Sequence, residues 1–387
     1  LFLEDQLMAN PLQQLAALGQ SVWLDYIHRD LFSDGRLRRL IDQDALTGMT
    51  SNPAIFEKAI DEGHAYDEQI DSLARSGHSA DAIYEAISQS DVQHAADLLR
   101  EVYDRTHGED GYVSLEVNPH LARDQAGTIA EGRRLWAALN RPNAYIKVPA
   151  TVEGLGAIRT LISEGINVNV TLLFALPRYQ EVMDAYLSGL EQRLAQGGSI
   201  ESISSVASFF ISRIDAMVDP MLETRLRGGS DAQAQAALGE VAIACGKLAF
   251  NLYRQTFATE RFQRIAARGA RVQRLLWAST STKNPKYSDV KYVEALLGPG
   301  TINTMPLETL EAYRDHGQPR SRLPEGLTQA RDLFESLPAL GVDIDAVCRK
   351  LESEGIDKFN QPFDKLLRQI EVHVNRATLG RKSGSNG

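Results

Sequence analysis

Short apolar runs with period-2 alternation recur along the chain, separated by amphipathic stretches of helical period. Alternation of that kind marks a strand with two distinct faces, while apolar residues at i, i+3, i+4 and i+7 mark a helix. The pattern predicts eight strands, over Ser21–Ile27, Ala45–Asn52, Tyr112–Val117, Ala144–Ala150, Asn167–Phe174, Ser205–Ile211, Val272–Ser279 and Thr301–Met305. Helices are predicted between them, among them Ala82–Arg105, Pro119–Leu139, Arg178–Ala195 and Ala232–Phe257. Several open on Asp, Ser or Pro, as helix starts prefer. Strands alternating with helices leave two architectures, a closed barrel or an open doubly wound sheet.

Two features favour the barrel. No GxGxxG follows the first strand; the nearest match, Gly154-Leu155-Gly156, is too short and follows the fourth. Polar residues also recur at alternating positions inside at least six of the eight strands. Central strands of an open sheet pack helices on both faces and read apolar throughout. A barrel can instead converge polar groups on one central site. The fold class is therefore α/β, a (β/α)8 TIM barrel with extra N- and C-terminal helices, read as one domain over residues 1–387. Residues 9–20 read as a leading helix at the barrel's lower face. Residues 318–380 carry helix pattern only (Leu327–Leu337, Asp345–Glu354, Phe363–Asn375) and read as elaboration of the barrel. Residues 1–7 read as an extension upstream of Met8, and 380–387 as a disordered tail.

The polar positions carry the candidate chemistry. In Ala144–Ala150, Ile146 and Val148 share the helix-facing side, which turns Lys147 into the barrel. A lysine is seldom fully buried without a partner or a task. Desolvation pulls its pKa down from about 10.4 toward the 7–8 useful for a nucleophilic amine. Such an amine can add to a carbonyl and form an iminium. The plain alternative is a structural lysine whose stem runs along the wall to the rim. By the same alternation Trp23 and Asp25, then Ser114, Glu116 and Asn118, then Asn169 and Thr171 face inward. Two carboxylates, an amide, a hydroxyl and an amine thus converge, and buried charges need partners. Arg213 follows the sixth strand, and Ser279, Ser281 and Lys283 follow the seventh, where barrels commonly bind phosphate. His28 lies near Asp25 but reads as a loop residue.

Composition narrows the remaining choices. Apolar residues make up 43% and charged residues 24% of 387, enough for a large core. A net charge of −10 argues against nucleic acid and anionic membranes as partners, but not against a small phosphorylated substrate. Two cysteines, Cys245 and Cys348, read as reduced core thiols. Eight histidines show no metal-ligand pattern, so no metal is expected, and no GxSxG elbow or P-loop is present. The start lacks a basic n-region and no run approaches the roughly 18 apolar residues of a membrane span. A cytoplasmic protein is expected.

Four segments resemble the transaldolases, within the class I Schiff-base aldolases: Thr47–Phe56 (TGMTSNPAIF), Tyr145–Gly154 (YIKVPATVEG), Ile166–Phe174 (INVNVTLLF) and Ser208–Asp215 (SFFISRID). The chain is similar to the longer bacterial type, in the family's order and spacing from about residue 9 to about residue 375. The resemblance implies Lys147 as Schiff-base lysine and Asp25 as the acid/base of carbon–carbon cleavage. It implies Glu116 and Thr171 as the pair that positions a catalytic water. Asn52 and Asn169 would hold substrate hydroxyls and the iminium region, and Ser208 a further hydroxyl. Thr50 and Phe210 would line the pocket, and Arg213 would bind phosphate. Many members carry Ser-x-Arg after the seventh strand; this chain has a longer stretch with Lys283, which leaves the phosphate role of Ser279, Ser281 and Lys283 the most open.

The implied reaction passes a dihydroxyacetone unit between sugar phosphates, from sedoheptulose 7-phosphate to glyceraldehyde 3-phosphate, in the pentose phosphate pathway, with no cofactor. A related fructose 6-phosphate aldolase would release free dihydroxyacetone. Those enzymes carry Gln and Tyr where this chain has Glu116 and Phe210. A catalytically silent binding barrel is the third alternative. The expected assembly is a monomer or small homo-oligomer, which the sequence does not decide.

Overall fold

A computed structural model describes residues 9–61 and 63–384. Eight parallel strands close into a barrel in sequence order: β1 (Ser21–Asp25), β2 (Leu46–Thr50), β3 (Tyr112–Glu116), β4 (Ala144–Pro149), β5 (Val168–Leu173), β6 (Ser205–Phe210), β7 (Arg274–Ala278) and β8 (Ile302–Met305). Pairing of β1 with β8 completes the ring. Each strand ends within two residues of its expected limit. The trimmed residues lie where the ladder stops and the chain turns out into a loop.

The lower half of the barrel is filled by aromatic side chains. The rings of Tyr112 and Tyr145 stack at 4.3 Å, with Trp23 6.2 Å from Tyr145. Gly48 on β2 makes room for them, since a Cβ there would lie 2.3 Å from the Trp23 indole. Trp23 Nε1 donates to Asp110 Oδ1 at 2.6 Å, which satisfies the buried indole. Below this layer the helix Pro11–Ala17, capped by Asn10 and Gln13, packs Leu12 and Leu15 against β1 and the helix Leu307–His316.

Several expected helices are divided. Ala82–Arg105 is two helices, Ala80–Leu98 and Arg100–Arg105, meeting at the fully buried Leu99. Pro119–Leu139 is a 3-10 turn, Pro119–Arg123, followed by Gln125–Leu139, because the Asp124 side chain caps a new start. Ala232–Phe257 breaks at Gly239, whose φ of +72° ends regular helix. The reverse holds at the C-terminus. Asp345–Glu354 and Phe363–Asn375 belong to one helix, Ile344–Gly384, with Pro362 inside it. Leu351, Ile356, Phe359, Phe363, Leu366 and Ile370 recur about once per helical turn and form a buried stripe, seated on the helices Pro53–Asp61, Asp67–Arg75 and Ala80–Leu98. That packing outweighs the one backbone bond that Pro362 removes. The backbone is helical as far as Gly384, beyond the point where a tail was expected, since an established helix extends without a new nucleus. The expected extension over residues 1–7 and the end of the tail, 385–387, lie outside the described residues. Cys245 and Cys348 are both buried free thiols.

Candidate active site

A cavity of about 470 Å³ opens at the C-terminal ends of the strands. Asp25 and Thr50 are the last residues of β1 and β2, and Glu116 is the last of β3. Parallel register sets Asp25 beside Thr50, Glu116 beside Lys147 and Lys147 beside Asn169. Register neighbours on parallel strands point the same way, so the inward face assembles itself from sequence alternation.

Lys147 is 4% exposed. Its Nζ donates to the carbonyl of Ser51 at 3.1 Å and lies 3.3 Å from Glu116 Oε2 as an ion pair. The ring of Phe359, from the C-terminal helix, lies 5.8 Å from the same nitrogen. Burial pushes Glu116 up to about 7, against the pull of Lys147 and with a smaller upward push from Asp25. Neither Glu116 oxygen makes an aligned hydrogen bond to the protein, nor does Thr171 Oγ1. Burial likewise raises Asp25, opposed by the charge of Lys147 and by a hydrogen bond from Thr50 Oγ1 at 2.6 Å. Glu116, titrating near neutral pH, can both take and return a proton.

The backbone is strained beside these groups. Leu172, next to Thr171, has φ +55°, and the β5–β6 register shifts between Val170 and Leu173. Ser279 has φ +54°. Left-handed backbone at non-glycine residues costs free energy and clusters at functional sites.

Most sequence-selected residues line this one cavity: Asp25, Thr50, Asn52, Lys147, Thr171, Ser208, Phe210, Arg213, Ser279, Ser281 and Lys283. Glu116 joins through Lys147. Asn169 lies among the buried residues behind the wall, donating to Ser114 Oγ at 3.0 Å and accepting from Ser208 Oγ at 2.7 Å. Asn52 Oδ1 accepts from the backbone N–H of Ala54 and Ile55, which leaves its amino group for a ligand. Asn118 does not face inward. The strand ends at Glu116, alternation lapses there, and Asn118 caps the following turn through His120 N. His28 is likewise outside the cavity, capping the helix Arg29–Ser33.

The cavity also holds residues that sequence reasoning missed: Tyr26, Lys58, Thr304, Glu308, Lys358 and Phe359. Thr304 on β8 shares a hydroxyl contact of 2.8 Å with Thr50. Alternation could have flagged it, but Asn303 beside it is polar too and bonds Thr280, so the pattern there is ambiguous. Lys358 and Phe359 arrive on the C-terminal helix, about 200 residues after β4 in the chain, and nothing local marks them.

Residues 22–370 match the family model described as Transaldolase/Fructose-6-phosphate aldolase. The chain belongs to that family. It is 46% identical over 372 residues to "Transaldolase 2" of Nostoc sp., spanning 94% of this chain and 98% of the relative. It is 45% identical to the transaldolase of Saccharopolyspora erythraea, over 95% of this chain and 98% of that one. The transaldolase of Mycobacterium leprae is 46% identical over 95% of this chain and 97% of its own length. These full-length relatives within the Transaldolase/Fructose-6-phosphate aldolase family support an enzyme, and a transaldolase, over the lyase and silent-barrel alternatives. Among the described residues no helix is long and apolar enough to cross a membrane.

Proposed function

We propose that the enzyme transfers a dihydroxyacetone unit from sedoheptulose 7-phosphate to glyceraldehyde 3-phosphate, giving erythrose 4-phosphate and fructose 6-phosphate. The reading takes the chain as one catalytic barrel domain working in the cytoplasm, within the pentose phosphate pathway. The observation that carries it is a lysine buried in a barrel interior, 3.3 Å from one carboxyl and close enough to a second to shift its titration.

Each step has a group suited to it. Lys147 Nζ adds to the ketose carbonyl at C2. Glu116, with Thr171 beside it, takes the amine proton and returns one to the departing hydroxyl, so water leaves and the iminium forms. Asp25 then removes the C4 hydroxyl proton while the C3–C4 bond breaks. The bonding pair moves into the iminium, which becomes an enamine, and the aldose leaves. The enamine carbon attacks the acceptor aldehyde, Asp25 returns its proton, and water hydrolyses the new iminium. Asp25's raised affinity for protons suits a base that must hold one between half-reactions. Asn52 and Ser208 line the cavity and serve the substrate hydroxyls in this reading, with Asn169 bonded to Ser208. Arg213, Ser279, Ser281 and Lys283 line it too and serve the phosphate. In this reading, protecting the enamine from protonation by water is what separates transfer from simple cleavage.

Comparing donor consumption with and without an aldehyde acceptor tests transfer. Fructose 6-phosphate should be consumed at least tenfold faster with erythrose-type or glyceraldehyde-type acceptors present, on the order of one decade of rate. Equal rates, with free dihydroxyacetone accumulating, would favour the aldolase reaction instead.

A further inference from the structure

The cavity corner facing the C-terminal helix holds more positive charge than the two cations selected from sequence. Arg213 starts the helix Ser212–Arg227, and Lys283 lies in the loop after β7; Lys358 lines the same cavity from the helix Ile344–Gly384. Lys358 Nζ donates to Glu354 Oε2 at 3.2 Å, one turn back along that helix. Glu354 also faces Lys350 at 3.9 Å and is close enough to Arg213 to act on its charge. Arg213 in turn acts on Lys283, whose Nζ donates to Ser281 Oγ at 2.6 Å and which Glu308 and Asp25 also face. Charge thus runs Lys283, Arg213, Glu354, Lys358 around one corner. Arg213 Nε is buried there without a protein partner.

We propose that Lys358 is a third cation of the substrate's phosphate site, and that Glu354 is its resting counter-ion, displaced when the phosphate arrives. The proposal rests on the sugar-phosphate reading of this pocket. A phosphate brings close to two negative charges and three acceptor oxygens. Arg213 and Lys283, held by elements that follow β6 and β7, take two of those oxygens from the barrel side. Lys358 takes the third from above. An exposed i, i+4 pair such as Lys358–Glu354 is weak, so a dianion between three cations displaces it readily. Phosphate binding then ties the C-terminal helix to the barrel rim. Since Phe359 is the next residue and lies over Lys147, the same event steadies the roof over the reacting amine. Unphosphorylated ketoses gain none of this.

Calorimetric titration of inorganic phosphate into the full chain tests the site without relying on catalysis. Lys358→Gln should weaken binding roughly 10-fold, the loss expected for one charge-assisted contact at a half-exposed position. Lys358→Arg should restore it, and Glu354→Gln should strengthen it. In steady state, Lys358→Gln should raise KM for fructose 6-phosphate by a similar factor while the KM for free fructose stays unchanged. Phosphate affinity within twofold of wild type in Lys358→Gln overturns the proposal, as do equal KM increases for both donors. Borohydride labelling of Lys147 is followed in parallel. Its loss in the wild type would strike at the Schiff-base reading, whereas a lost phosphate effect with labelling intact would strike at Lys358 alone.

Discussion

Glu116 and Lys147 form the ion pair on which the proposed chemistry turns, and their separation is set by one rung of the β3–β4 ladder. Strand alternation was sufficient to place Lys147, Asp25 and Glu116 inward, because a one-residue shift would have buried them against the helices. What alternation could not convey is their partnership. Convergence of an amine with two carboxylates was expected; the structure selects Glu116 as the ion-pair partner, a carboxyl whose own titration is moved to about 7 by burial. This makes a prediction at the residue scale. Glu116→Gln should lower kcat about 100-fold or more, the usual worth of a positioned acid/base, with little change in KM. The wild-type rate of Schiff-base formation should follow one ionisation near pH 7, and that limb should vanish in the variant. A pH profile identical in both, or a variant retaining most of its rate, would assign the ionisation elsewhere.

The two elements that carry Arg213 and Lys283 are tied together by buried acids. Asp215, on the helix Ser212–Arg227, accepts from the Ala242 N–H at 2.7 Å and from Tyr292 OH at 2.9 Å. Asp219 on the same helix accepts from the Gly239 N–H and from Tyr287 OH, each at 2.8 Å. Tyr287 and Tyr292 follow Lys283 in the segment after β7, so these bonds join that segment to the helix after β6. None of this was legible in sequence, since an Asp at a helix start reads as an ordinary dipole partner. Burial raises Asp215 from 3.8 to about 7, opposed by its hydrogen bond from Ala242 and assisted by the charge of Asp219. The folded chain therefore holds a proton between about pH 4 and 7 that the unfolded chain has lost. Stability from this group is complete below pH 4 and declines as pH rises toward 7, at up to about 1.4 kcal/mol per pH unit. Asp215→Asn cannot ionise, so its stability relative to wild type should climb over that window and level off above it. Chemical denaturation at several pH values measures the difference; a constant offset from pH 4 to 8 would mean that Asp215 titrates normally.

At the scale of the molecule, the barrel was readable because eight strands repeat one signal, and errors of a residue or two at each end do not change which face is inside. Helix limits were less readable. Breaks at Leu99, Asp124 and Gly239 depend on local packing and capping, while Pro362 lies in a continuous helix because tertiary contacts hold it there. The C-terminal helix is the largest loss. It was expected as outer elaboration, yet it crosses to the mouth and supplies Phe359 and Lys358 to the cavity. Gly355 permits that approach: a Cβ there would lie 2.9 Å from the Leu172 side chain at the strained end of β5. Long-range placement of this kind has no periodicity to announce it.

The proposed transfer requires a covalent bond between substrate and one nitrogen, Lys147 Nζ. Incubating the full chain with fructose 6-phosphate, reducing with borohydride and mapping peptides by mass should give a single three-carbon or six-carbon adduct on the Lys147 peptide, absent from Lys147→Ala. An unmodified Lys147 peptide from an enzyme that is turning over, or an adduct on another lysine, would contradict it.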